Sequence, residues 1–241
     1  MDRYPPAVPK SPGDLNLATV WEAVADAVGD SPAIAFEGRR TSWTNFEDRS
    51  ARLAGFLTEY GLGPESKAAL YCYNGPEYSE AQFGVLKVRA VPANVNYRYV
   101  GAELAYILEN SDAEAVFFDH TLAERVAEVR GTCPALRVAV QVGGGEVPDW
   151  AVGYEEAISV ERMPRLGRSG DDLWFLYTGG TTGEPKAVMW SHRELFAGME
   201  ETFRSLGEAV PASPAEAGRI ASTVIGEGRE IRQLCAAPLM H

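Results

Sequence analysis

Cysteine is scarce in this sequence, and nothing in it has the spacing of a metal site. Cys72, Cys133 and Cys235 are three in 241 residues. None belongs to a CxxC pair and none has a histidine at ligand distance, so the expectation is free thiols, buried or half-buried, in a reducing cytoplasm. Long apolar runs are lacking too. No stretch of roughly 18 or more apolar residues occurs, which argues against a membrane span. The opening "MDRYPPAVPKSPGDLN" has no apolar h-region, so residues 1–16 read as a Pro-rich leader and not as a secretory signal. Basic charge is in deficit, with 22 Lys and Arg against 34 Asp and Glu and a net charge of −12. That balance argues against a nucleic-acid groove, although a local site on an acidic protein can still be positive. No internal repeat is visible.

What is present is ordinary for a folded chain, with 46% hydrophobic and 23% charged residues. Leu17, Val20, Trp21, Val24 and Val28 recur at helical spacing behind Asn16 as N-cap and before Gly29. "AIAFEGRRTSW" reads as two short strands about a Glu37-Gly38 turn. Thr44 and Glu47 offer a capping box for a helix that closes at Gly61. From Lys67 to Val142, short apolar runs ("KAALYCY", "AVPANVN", "EAVFFD", "RVAVQV") alternate with helical segments of about ten residues. This rhythm predicts an α/β fold with a mostly parallel sheet flanked by helices.

The rhythm breaks over 143–170, a connecting segment that opens with "GGGEVPDW". Beyond it, "LWFLYT" and "AVMW" read as strands, 193–206 as a helix, "GEAVPASPAEAG" (207–218) as an exposed loop and "QLCAAPLMH" as a last buried strand. The segments are therefore a leader at 1–16, an α/β part at 17–142, a connection at 143–170 and a further part at 171–241.

Between "LWFLYT" and "AVMW" lies "TGGTTGEPK". Thr178, Gly179, Gly180, Thr181, Thr182 and Gly183 are too flexible for a helix and too polar for a core. Glycine lets backbone approach a ligand closely, successive N–H groups in a tight turn form an anion nest, and Lys186 adds a compact positive charge. These features suit nucleotide phosphates. A Walker loop does not fit, because Glu184 follows Gly183 and Ala187 follows Lys186.

"YTGGTTGEPKAVMWSH" resembles the phosphate loop of the adenylate-forming superfamily, which holds acyl-CoA synthetases, peptide-synthetase adenylation domains and luciferases. "VPANVNYRYVGAELAYILENSDAEAVFFD", "TSWTNFEDRSARLAGFL" and "APLMH" resemble other segments of AMP-forming fatty-acyl-CoA synthetases, in the family's order. There are two departures. Gly179 stands where Ser is common, and Ala187 stands where Gly is usual, which would be costly if that site needed a positive φ.

The resemblance implies a ligase that converts a fatty or sterol side-chain carboxylate and ATP to an acyl-adenylate, then transfers the acyl group to coenzyme A. It implies that Thr178 to Gly183 wrap the phosphates, that Thr181 or Thr182 touches Mg²⁺, and that Lys186 neutralises phosphate charge. It also implies that His241 stands beside the acyl carboxylate. His192 and His120 are expected to be structural or surface residues, and Trp190 to be packing. The family's later motifs are not found before the sequence ends, so the expectation is an N-terminal portion, inactive alone and prone to self-association through its apolar end. The alternatives are an enzyme that loads a carrier protein and a folded fragment without turnover.

Overall fold

The computed structural model describes residues 15–178 and 184–240. The chain divides into two compact units, each built from separated stretches. One comprises Met1–Asp48, Pro164–Asp172 and Trp190–Leu234, and the other Arg49–Met163, Leu173–Met189 and Cys235–His241. The segment boundaries at 142 and 170 follow composition, whereas these units follow packing.

In the first unit, helix α1 (Leu17–Val28) starts where the sequence places it, with Asn16 Oδ1 accepting from the Ala18 N–H at 3.0 Å. Strands β1 (Pro32–Phe36) and β2 (Arg39–Ser42) pair antiparallel about Glu37 and Gly38. Both turn residues have positive φ (48° and 77°), as a tight two-residue hairpin requires. Helix α2 (Trp43–Glu59) begins one residue before Thr44. Ser42 Oγ accepts from the Asn45 N–H at 3.2 Å, so the cap is Ser42 and not the Thr44 capping box expected from sequence.

The second unit takes α2 from Arg49 onward. Gly61 (φ 79°) ends this helix, with the Leu62 N–H donating to Leu57 O at 3.0 Å. In chain order β3 (Lys67–Tyr71), α3 (Pro76–Lys87), β4 (Val91–Asn94), α4 (Ala102–Asn110), β5 (Ala113–Asp119), α5 (Ala123–Val129) and β6 (Val138–Val142) follow. Then come β7 (Val152–Gly153), α6 (Tyr154–Ala157), β8 (Leu173–Thr178) and β9 (Lys186–Ser191).

These strands form one seven-stranded sheet in the order β7-β6-β5-β3-β4-β8-β9. The pairs β3/β4, β3/β5, β4/β8, β5/β6 and β6/β7 are all parallel. The mostly parallel α/β fold expected from the strand–helix rhythm is the one observed. Successive residues of a strand face opposite ways, so the continuous apolar runs feed two cores. Ala68, Leu70, Phe117, Val138 and Val140 join one with Leu53, Leu57 and Tyr78. Ala69, Tyr71, Val116, Phe118 and Ala139 join the other with Leu104, Ile107 and Val126.

The first unit is completed by α7 (His192–Gly198), α8 (Glu200–Ser205) and α9 (Pro214–Gly226). The single helix expected over 193–206 is broken at Met199. Helix α9 corrects the expected exposed loop. Ser213 Oγ accepts from the Glu216 N–H at 3.2 Å with Pro214 at the first turn, an N-terminal signal hidden in a Pro/Ala/Glu-rich stretch. Gly218 lets α9 approach α1, since a Cβ there would lie 2.7 Å from Ala23 O.

Buried polar groups tie α1 to the rest of this unit. Arg168 donates to both Glu22 oxygens at 2.9 and 3.1 Å, and Asn16 Nδ2 donates to Ser169 O at 2.9 Å.

Other expectations are corrected. Residues 233–240 do not form a strand. They carry no regular structure, and Leu234 is 88% exposed. A strand needs a neighbour's ladder, and among the described residues none is paired with this stretch. Trp190, expected to be packed, is 38% exposed. Cys72 and Cys133 are buried as expected, but Cys235 is exposed. No helix among the described residues is long and apolar enough to cross a membrane.

Candidate phosphate-binding site

The stretch with the strongest chemical signal sits between two strands. β8 ends at Thr178 and β9 begins at Lys186, so the glycine-threonine run joins strand to strand as the flanking apolar residues imply. Gly179, Gly180, Thr181, Thr182 and Gly183 lie outside the described residues, as does His241. Thr178 and Lys186 are described, and both are exposed. No acidic side chain among the described residues pairs with Lys186.

Ala187 resolves one of the two sequence departures. It lies in β9, is absent from the residues with positive φ, and packs against the second core. Its methyl group adds apolar contact and brings no left-handed strain.

The flanks of the run are held by two elements, β4 and α4. The parallel ladder between β4 and β8 pairs Ala93 with Phe175 and Asn94 with Leu176. Tyr177, buried in the second core, donates its hydroxyl to Asn110 Oδ1 at 2.9 Å. Burial pushes the Tyr177 hydroxyl up to about 12, with a smaller contribution from neighbouring Tyr106, so it stays a proton donor. Tyr106 donates to Pro185 O at 3.2 Å.

A second pair of side chains holds the segment that leads to His241. Asn74 accepts from the Leu239 N–H at 2.7 Å and donates to Ala237 O at 3.1 Å. Asn94, 1% exposed, donates to Leu239 O at 3.2 Å and accepts from Trp174 Nε1 at 3.4 Å. Residues 237–239 are thereby linked through Asn94 to β8, the strand that runs into Thr178. None of Asn74, Asn94, Tyr106 or Asn110 stands out in the sequence, because each is a single polar residue whose partner is remote in the chain.

The other histidines divide as expected. His192 is fully buried at the start of α7, where its Nδ1 accepts from the Leu17 N–H at 3.2 Å. Desolvation lowers its pKa to about 4, against the opposing pull of Asp172, so it is neutral and structural. The His120 side chain is half-exposed.

Among the described residues no group of three His, Cys, Asp or Glu could hold a metal ion. The oxygen donors that the run offers are threonine hydroxyls. Such a set suits a hard cation that arrives on phosphate oxygens and keeps its waters, rather than one caged by protein.

A family model described as AMP-binding enzyme matches residues 21–241. A 3-oxocholest-4-en-26-oate–CoA ligase of Rhodococcus rhodochrous is 39% identical over 202 residues, covering 81% of this chain and 35% of the relative. A medium-chain acyl-CoA ligase of Mycobacterium avium is 40% identical over 200 residues, covering 76% of this chain and 36% of the relative. The chain thus spans about a third of the length of the curated relatives it matches. A solved long-chain-fatty-acid-CoA ligase of Archaeoglobus fulgidus superposes with a TM-score of 0.72 at 22% identity, covering 95% of this chain and 49% of that one. An anthranilate CoA ligase in complex with anthranoyl-AMP gives 0.73 at 18% identity, covering 79% and 37%. At such identities these two establish the fold alone.

Proposed function

The chain belongs to the AMP-binding enzyme family, and from that premise we propose that it supplies the phosphate-binding part of an AMP-forming acid–thiol ligase. The substrate is a fatty or sterol side-chain carboxylate. ATP activates it as the acyl-adenylate, and coenzyme A accepts the acyl group. The observation that carries this reading is the exposed Lys186 at the head of β9, without an acidic partner among the described residues and close in sequence to the run that starts at exposed Thr178. The names of the relatives, ligases of medium-chain acyl groups and of a sterol-derived acid, support the substrate class.

In this reading Thr178, Gly179, Gly180, Thr181, Thr182 and Gly183 surround the β- and γ-phosphates. Thr181 or Thr182 contributes a hydroxyl to Mg²⁺, which would come with the nucleotide and screen its charge. Lys186 holds phosphate oxygens as pyrophosphate forms, a task of position and charge. His241 stands beside the acyl carboxylate. A cytoplasmic setting suits free thiols. The exposed Ile231 and Leu234 favour self-association of this chain.

Calorimetric titration of the 241-residue chain with Mg·ATP tests the reading. Binding that Lys186→Ala weakens by about tenfold or more, the worth of a charge-assisted contact, is the expected result. An unchanged affinity removes Lys186 from the site. ATP–pyrophosphate exchange dependent on a medium- or long-chain fatty acid tests the substrate class.

A further inference from the structure

Helix α4 touches the chain on both sides of the glycine-threonine run. Tyr106 and Asn110 are four residues apart on this helix, so they share one face. Tyr106 reaches Pro185 O, the residue before Lys186, at 3.2 Å. Asn110 receives the Tyr177 hydroxyl, from the residue before Thr178, at 2.9 Å. Each of the two described phosphate-binding candidates therefore follows directly on a residue hydrogen-bonded to α4. The helix itself is held firmly, because Leu104, Ile107 and Leu108 are buried in the second core.

We propose that Tyr106 and Tyr177 are positioning residues for phosphate binding, their hydroxyls fixing Lys186 and Thr178 relative to each other through α4. The inference rests on the phosphate-binding reading of the run. Its physical basis is preorganisation. Lys186 is a point charge on a flexible four-carbon stem, and Thr178 ends its strand beyond the β4 ladder. Without the two hydroxyl bonds, ordering of both flanks would be paid out of binding free energy when the phosphates arrive. With them, the separation of the ammonium stem and the threonine hydroxyl is set in advance. Neither tyrosine need touch the ligand. The Pro185 carbonyl is a suitable anchor for the lysine flank, since proline restricts the backbone beside it.

The test uses the 241-residue chain and inorganic tripolyphosphate with Mg²⁺, a probe that carries phosphates and no adenine. Tyr106→Phe and Tyr177→Phe each delete one oxygen and keep the ring in its core position. Each is expected to weaken tripolyphosphate binding about fivefold, the factor one neutral hydrogen bond carries, with the double variant weaker than either. Asn110→Ala, which removes the acceptor from the other side, should match Tyr177→Phe and add nothing to it. The decisive readout is coupling to the lysine. In a Lys186→Met background Tyr106→Phe should cost nothing further, because there is no charge left to position, whereas a purely structural hydroxyl costs the same in both backgrounds. Thermal melting run in parallel identifies any variant that fails to fold, and Asn110→Ala then stands in for Tyr177→Phe. Tyrosine variants that bind tripolyphosphate like the wild type, while Lys186→Met does not, overturn the proposal and leave the phosphate reading standing. Wild-type chain that binds no tripolyphosphate overturns both.

Discussion

Arg168 meets Glu22 with two nitrogens on two carboxylate oxygens, in a pair that is almost wholly removed from water. The pair fixes α1 against the 164–172 stretch within the first unit. Removing one partner leaves a buried charge whose neighbours cannot replace it fully. Arg168→Met is expected to lower unfolding free energy by about 3–5 kcal/mol, read from the urea midpoint. Replacing both partners together, as Arg168→Met with Glu22→Leu, should recover much of that loss. A double variant as unstable as the single one would show that the pair contributes more than mutual compensation.

His192 makes the first unit sensitive to acid. Its pKa falls from the ordinary 6.5 to about 4, chiefly through burial and against the pull of Asp172, with Arg168 adding to the depression. The unfolded chain takes up a proton below about pH 6.5, and the folded chain resists until about pH 4. The contribution is therefore complete above 6.5 and is lost as pH falls toward 4, a loss on the order of 3 kcal/mol. His192→Gln, which keeps an acceptor for the Leu17 N–H, should flatten stability between those pH values relative to the wild type. Parallel pH profiles for the two proteins would remove His192 from the acid response.

Gly55 should tolerate no side chain. A Cβ there would lie 2.3 Å from Glu161 O, because the 160–163 stretch crosses α2 closely. That crossing is fixed by the Met163 N–H donating to Ala51 O and by Arg52 donating to Val160 O, each at 3.0 Å. Gly55→Ala must displace backbone and is expected to cost about 1–3 kcal/mol. Gly131→Ala meets no atom within 4 Å and should change stability little. Equal melting temperatures for the two variants would contradict the close crossing.

Glu80 is another buried carboxylate that depends on its neighbours. It accepts from Arg49 Nε with both oxygens at 2.9 Å and from the Tyr154 hydroxyl at 2.8 Å. Burial pushes its pKa up, and these donors work against the rise. Tyr154→Phe deletes one charge-assisted hydrogen bond and should cost about 1.5–3 kcal/mol, measured by chemical denaturation. A loss below a few tenths would mean that water replaces the hydroxyl.

The strand–helix rhythm makes the sheet legible in the sequence, since buried parallel strands such as Ala115 to Phe118 are apolar on both faces and helices carry caps such as Asn16. What escaped had specific causes. Strand β7 and helix α6 are two and four residues long, too short for any period to show. Helix α9 was masked by composition, although Ser213, Pro214 and Glu216 are a start signal. The glycine-threonine run and Lys186 were legible because their chemistry is local in sequence. The side chains that brace them were not. Tyr177 and Asn110 are 67 residues apart, Tyr106 and Pro185 are 79, and Asn94 and Leu239 are 145. No pattern in a single chain announces pairings over such distances.

The strand order also fixes a schedule. β4 is bounded on one side by β3, which precedes it, and on the other by β8, whose Trp174 comes 80 residues after Asn94. During synthesis β3, β4, β5 and β6 can assemble while that flank of β4 is still bare. At about 5–20 residues per second the gap lasts roughly 4–16 seconds. Val91 and Ala93 then present an apolar, unpaired edge to whatever is nearby. Docking of β8 closes it, and that same strand delivers Thr178. A nascent chain stalled before residue 173 would thus be a hazard to its neighbours, whereas one released after 191 has covered the edge in the act of laying down its phosphate-binding flank.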